Sequence, residues 1–218
     1  MSDSRITVGD VEISHLYDLV ADWPITLDQV FPNVPDEAWE PYRLHPDHVG
    51  WNLQRQGGQY RPTFPRARYV AHRADWDTFR RAEVQQEMAA IAPGYVEQTL
   101  TPLESLGVLD LADGDRILSE EVTALHTPGH TPGSLSLLVV SGGEQAIIAG
   151  DAFGHPAQVE HPDWGVAFDF DGPQAEKTRR QLLDWVEAEG LVLSAMHFPE
   201  PGFGRVVRLE GRRFWQAL

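Results

Sequence analysis

His126-Thr127-Pro128-Gly129-His130-Thr131-Pro132-Gly133-Ser134 is the stretch that decides how this 218-residue chain is read. Two Pro-Gly pairs flank one histidine, leaving the backbone few conformations and the His130 ring few directions. A scattered histidine needs no such setting. Upstream lies His45-Pro46-Asp47-His48, and downstream come Gly150-Asp151 and Met196-His197. Asp151 follows the apolar run Ala146-Ile147-Ile148-Ala149, and His197 follows Leu191-Val192-Leu193, so both sit where a strand ends. Strand ends on a rigid sheet can aim several side chains at one point. Imidazole nitrogens and carboxylate oxygens are the ligands of a catalytic zinc ion, which keeps one position open.

Composition narrows the classes. The length suits a single domain, 1–218, with a core of useful size. There is no cysteine, which excludes disulfides, thiolate metal sites and a cysteine nucleophile. Any metal must be held by His, Asp or Glu. The formal net charge of -16 repels phosphates, so no nucleic-acid partner is expected. Arg66, Arg68, Arg73, Arg80 and Arg81 are interleaved with acids and read as a solvated face. No charged-then-apolar leader opens the chain and no run of about 18 apolar residues occurs, so a cytoplasmic protein with no membrane partner is expected.

Ile6, Val8, Val11 and Ile13 around Gly9-Asp10 predict a β-hairpin. Residues 23–42 are rich in Pro, Asp and Trp with weak helical periodicity near 27–31 and 37–42, and residues 54–65 read as a loop. A strand is expected over 68–72, a helix over 75–91 and another over 96–106. Short strands follow near 116–118 and 122–125, then a strand-turn-strand over 135–140 and 146–149 across Gly142-Gly143. Pro173 and Gly190 bracket a helix over 174–189. Residues 191–195 form a buried strand leading into His197, and Val206 to Gly211 give a last strand and turn. Strands alternating with helices predict an α/β layered domain.

These pieces resemble the metallo-β-lactamase superfamily, whose signature begins His-x-His-x-Asp-His and continues with a later His, a bridging Asp and a last His. The resemblance runs from Leu44 to the C-terminus. Ala195-Met196-His197-Phe198-Pro199, with Pro201-Gly202-Phe203-Gly204, resembles the branch of acyl-homoserine-lactone lactonases and methyl-parathion-type hydrolases. It implies an αβ/βα four-layer sandwich. It also implies two zinc ions (Zn2+): His45 and His130 on the first; Asp47, His48 and His197 on the second; Asp151 bridging both. A metal-activated hydroxide would attack a small ester, lactone or phosphoester, and Asp47 would protonate the leaving group. Glyoxalase-II-like thioester hydrolysis is a rival within the same chemistry. His126 is read as packing or hydrogen-bonding behind the site, and His72 as structural. His155 and His161 are either pocket residues or exposed loop. Trp51, Phe153, Trp164, Phe168, Phe198 and Phe203 suggest an apolar substrate pocket or core packing.

One position departs from the pattern. Arg43 stands where the family's first histidine falls, and a guanidinium only donates hydrogen bonds and repels cations. The apolar run that should precede the motif is replaced by Ala38-Trp39-Glu40-Pro41-Tyr42, and the family's Asp-Thr-Gly turn is absent. Residues 1–42 thus read as an incomplete N-terminal portion with a depleted half-sheet, and 43–218 as the site-bearing portion. The second metal position keeps its full set (Asp47, His48, Asp151 and His197), so one ion there is expected. An open sheet edge would also suit a homodimer. The rival from another class is a degenerate, non-catalytic domain with impaired metal binding.

Overall fold

Three strands of one sheet end on the same side, and each leads into one of the candidate ligands. The structure, a computed structural model, describes residues 5–14, 31–35, 38, 53–56, 59–62, 64, 66–91 and 95–218. The chain divides into two compact units, one formed by Met1–Val49 with Asp115–Leu218 and the other by Gly50–Gly114. Among the described residues no helix is long and apolar enough to cross a membrane.

The first unit opens with the expected antiparallel hairpin, β1 (Arg5–Val8) and β2 (Val11–Ser14). The second unit holds an antiparallel pair, β3 (Leu53–Gln56) and β4 (Gln59–Pro62), where a loop was expected. The sequence there, Leu-Gln-Arg-Gln against Gln-Tyr-Arg-Pro, is too polar to signal strands, although Gly57-Gly58 is a favoured hairpin dipeptide. Next come β5 (Tyr69–His72), α1 (Arg73–Phe79), α2 (Ala82–Ile91), α3 (Tyr95–Ser105) and β6 (Leu109–Ala112), with β5 and β6 parallel. The single helix expected over 75–91 is therefore two. Arg81 N donates to Thr78 O at 3.1 Å, a tightened turn, before Gln85 N restarts the ladder on Arg81 O. His72 is structural, as read: its ring faces the Ala74 and Gly114 amides at 3.1 and 2.9 Å.

Returning to the first unit, β7 (Arg116–Ile117), β8 (Val122–His126), β9 (Leu135–Ser141) and β10 (Glu144–Ile148) form an antiparallel meander. Helix α4 (Gly172–Glu189) then leads to β11 (Val192–Ser194), which lies parallel to β10. β12 (Phe203–Leu209) and β13 (Arg212–Ala217) complete a seven-stranded sheet of order β13-β12-β11-β10-β9-β8-β7. The last strand was not expected; its Arg-Arg-Phe-Trp-Gln-Ala carries little apolar alternation. Outside this sheet, the described strands occur only as two-stranded pairs.

Alternation along the strands sorts two cores. Ile147 and Leu193 face Leu182, Leu183 and Val186 of α4, together with Phe153, Phe198 and Trp215. Ala146, Val192 and Val139 turn to the other face, where Val8 and its hairpin neighbours cover them. Each fully buried aliphatic side chain of α4 contributes roughly 1.5–3 kcal/mol. Asp171 caps that helix by accepting from Gln174 N at 2.9 Å, and Gly190 ends it in the left-handed region, φ 65°.

Glu187 of α4 is gripped by Arg208 of β12 and Arg213 of β13, at 2.6 and 2.8 Å. The hydrogen bonds from Arg208, then those from Arg213, outweigh burial and lower its pKa from 4.5 to about 2. A depressed folded-state pKa adds stability that is full above the unfolded value and fades as pH falls through the folded one. Glu187→Gln should therefore lower stability by about 1 kcal/mol above pH 4.5, and the gap from the parent should close as pH approaches 2. Urea melts across that range measure it.

Candidate metal centre

β8 and β10 both run antiparallel to β9, and β11 runs parallel to β10, so β8, β10 and β11 share one direction. Their C-terminal ends lie at the same end of the sheet. His130 follows β8, Asp151 lies three residues past β10, and His197 lies three past β11. Met196 N donates to Gly150 O at 3.2 Å and Ala149 N to Ser194 O at 2.7 Å, tying the last two loops together. As a result His197 Nε2 and Asp151 Oδ1 stand 3.2 Å apart.

The His130 turn is closed by its own hydroxyls and amides. Thr127 N donates to Ser134 O at 2.9 Å, Gly129 N to Thr131 O at 3.0 Å, and Thr131 N to Ser134 Oγ at 2.9 Å. It is also pressed onto the start of α4: Thr178 Oγ1 donates to Pro128 O at 2.6 Å and Asp171 N to Gly129 O at 3.0 Å. His130 Nδ1 lies 3.1 Å from Asp169 Oδ1, and the Asp169 side chain is only 1% exposed. This leaves Nε2 as the ring nitrogen available to an ion.

The three groups feel one another's charge. Burial acts most strongly to lower the His130 pKa, but the Asp169 hydrogen bond and the charges of Asp151 and Asp169 raise it overall, against His197. For Asp151, burial pushes upward most, yet the His197 hydrogen bond and the positive rings of His130 and His197 lower it. A carboxylate held ionised beside two imidazoles is a donor set that suits zinc. Among the described residues, no three His, Cys, Asp or Glu form a group that could hold an ion by themselves. The other expected ligands, His45, Asp47 and His48, and the anomalous Arg43, lie outside the described residues.

His126 is no part of this cluster. Its Nε2 lies 2.8 Å from Pro132 O, bracing the turn from behind, as expected. His155 caps a 3-10 turn by accepting from Ala157 N at 3.1 Å, and His161 stacks on Trp164 at 4.4 Å. Neither ring is placed beside the three candidate ligands by these contacts. Phe153, Phe198 and Phe203 are buried at 4% exposure or less, so they are core rather than pocket wall. A cavity of about 430 Å³ lined by Arg180, Arg208, Arg212 and Arg213 is a salt-bridged wall. Each of these arginines is paired with an acid, respectively Glu176, Glu187, Glu160 and Asp184.

Residues 44–197 match the model of the metallo-beta-lactamase superfamily. The chain belongs to the metallo-β-lactamase superfamily. A comparison with the curated proteins gives no match. Among solved structures, this superfamily member is similar to AbOPH, a hydrolase in the beta lactamase superfamily. The two share 26% identity at a TM-score of 0.65, over 80% of this chain and 62% of that one. It is also similar in fold to AidC, a dizinc quorum-quenching lactonase, at 23% identity and TM-score 0.62, over 80% and 61% of the two chains. A probable metal-dependent hydrolase from Staphylococcus aureus matches at 18% and 0.54, over 63% and 47%. The chain thus spans about six-tenths of the length of the first two. The resemblance read from the His130 turn and the strand-end Asp and His is borne out at the level of superfamily and fold.

Proposed function

We propose that this chain is a metal-dependent hydrolase of a small ester, lactone or phosphoester. The observation that carries the proposal is that His130, Asp151 and His197 all lie past the same end of the seven-stranded sheet, with the last two in contact. A bound zinc ion would supply Lewis-acid polarisation of the substrate and make water acidic enough to attack at neutral pH. His130 offers Nε2 because Asp169 occupies Nδ1. Asp151 and His197 already share a polar contact, and both would serve as ligands to the ion. His45 would join His130 at one position, and Asp47 and His48 would join His197 and Asp151 at the other, with Asp47 as the proton donor to the leaving group. The likeness in fold to AidC, a quorum-quenching lactonase, supports lactones as the first substrates to try.

The second reading, a non-catalytic domain of the same fold, draws on Arg43, whose cation stands in the motif at the place of a ligand. Protein supplied with zinc and assayed against a panel of lactones and phosphotriesters separates the two. Hydrolysis that a chelator abolishes and zinc restores is expected. Zinc-loaded, folded protein inert on every member of the panel would favour the non-catalytic domain.

A further inference from the structure

We propose that Arg179 is a positioning residue for the metal centre, acting through the buried Asp169 carboxylate to fix the tautomer and direction of the His130 ring. This rests on the reading of His130 as a ligand. Arg179 lies midway along α4 with its side chain 1% exposed. Its Nε donates to Pro162 O at 2.9 Å, and Nη1 lies 3.4 Å from Asp169 Oδ2. Nη2 is buried and has no hydrogen-bond partner among the described residues. The Asp169 carboxylate, equally buried, accepts from Val166 N at 3.2 Å through Oδ2 and turns Oδ1 to His130 Nδ1 at 3.1 Å.

As a device for stability this arrangement is poor. Two charges taken out of water rarely recover their desolvation, and apolar residues of the same volume often do as well. A buried guanidinium with an orphaned donor makes the balance worse still. What the pair does supply is direction. Arg179 anchors the Asp169 carboxylate to α4 and to the 162–166 loop. The carboxylate oxygen facing Nδ1 can only accept, so the proton sits on Nδ1 and His130 is held with Nε2 bare. In a free imidazole the proton prefers neither fixed direction nor partner; the other nitrogen's hydrogen bond decides which one binds metal. Such outer partners typically change metal affinity about 10–100-fold.

The test reads the ring before any metal is added. Histidine-15N-labelled, zinc-free protein, at a pH well above the imidazole range, should show His130 protonated on Nδ1. Arg179→Met should move it to a mixed or Nε2-protonated state. Arg179→Lys, which keeps the charge, should recover part of the Nδ1-protonated form. If Arg179→Met does not fold, Asp169→Leu combined with Arg179→Met removes both charges at once and should give the same spectral change. A wild-type ring protonated on Nε2, or a tautomer unchanged in these variants, overturns the proposal whether or not zinc binds. A tautomer that shifts as stated in a chain that never takes up zinc supports the positioning role while defeating the hydrolase reading.

Discussion

Asp151→Asn is expected to leave the chain folded and to lower hydrolytic turnover about a thousandfold or more. The amide keeps the shape of the side chain and removes its charge. Charge is what matters at this point of the fold, because Asp151 is the carboxylate between the C-terminal ends of β10 and β11 and faces His197 at 3.2 Å. Metal catalysis of this type contributes several kcal/mol to transition-state stabilisation, and each ~1.4 kcal/mol is tenfold in rate. Its side chain is 42% exposed, so the folded state does not depend on it in the way it depends on the core. Turnover on a lactone in excess zinc, with zinc per chain and circular dichroism on the same sample, measures the effect. Turnover within a few-fold of the parent would remove Asp151 from the site.

Gly129→Ala should destabilise the protein by about 4 kcal/mol, summing roughly 1–3 for backbone strain and 1–3 for overpacking. Gly129 has φ 140°, in a region that side-chain-bearing residues rarely adopt. A Cβ there would stand 2.3 Å from Ala175 Cα and 2.4 Å from its N, both backbone atoms of the first turns of α4. The helix cannot back away cheaply, because Thr178 Oγ1 and Asp171 N both hold the turn. For a chain of this size that loss corresponds to a fall in Tm of about 10 °C. Gly143→Ala is the control: its φ of 83° is equally left-handed, but nothing lies within 4 Å of the added Cβ. It should cost only about 1 kcal/mol. Equal losses at the two positions would show that the close approach of turn and helix is not what Gly129 serves.

The parts of the site that the sequence exposes are those written in local signals. Proline and glycine fix the His130 turn, and short apolar runs stop just before Asp151 and His197. Strand direction alone then carries all three to the same end of the sheet. Asp169 and Arg179 carry no such signal. Asp169 sits among Phe168, Phe170 and Asp171 with no strand before it, and Arg179 lies in Lys177-Thr178-Arg179-Arg180, a run that looks like a solvated face. Their burial comes from the packing of α4 against the turn, a non-local fact. The same distinction explains the fold. The β1-β2 hairpin, the β9-β10 pair and α4 announce themselves by alternation or caps. The polar pair β3-β4 and the arginine-rich β13 owe their pairing to a neighbour. The break between α1 and α2 falls at Arg80-Arg81, two good helix formers, where neither proline nor glycine marks a stop.

The most direct test of the account is zinc per folded chain, by elemental mass spectrometry on protein purified without chelator and then offered zinc. A ratio near one, lost in Asp151→Asn, is predicted. It would reflect a site that keeps Asp151 and His197 while Arg43 disfavours the other position. A ratio near two would overturn the role given to Arg43 and leave the hydrolase reading standing. Folded protein that takes up no zinc would contradict the central claim.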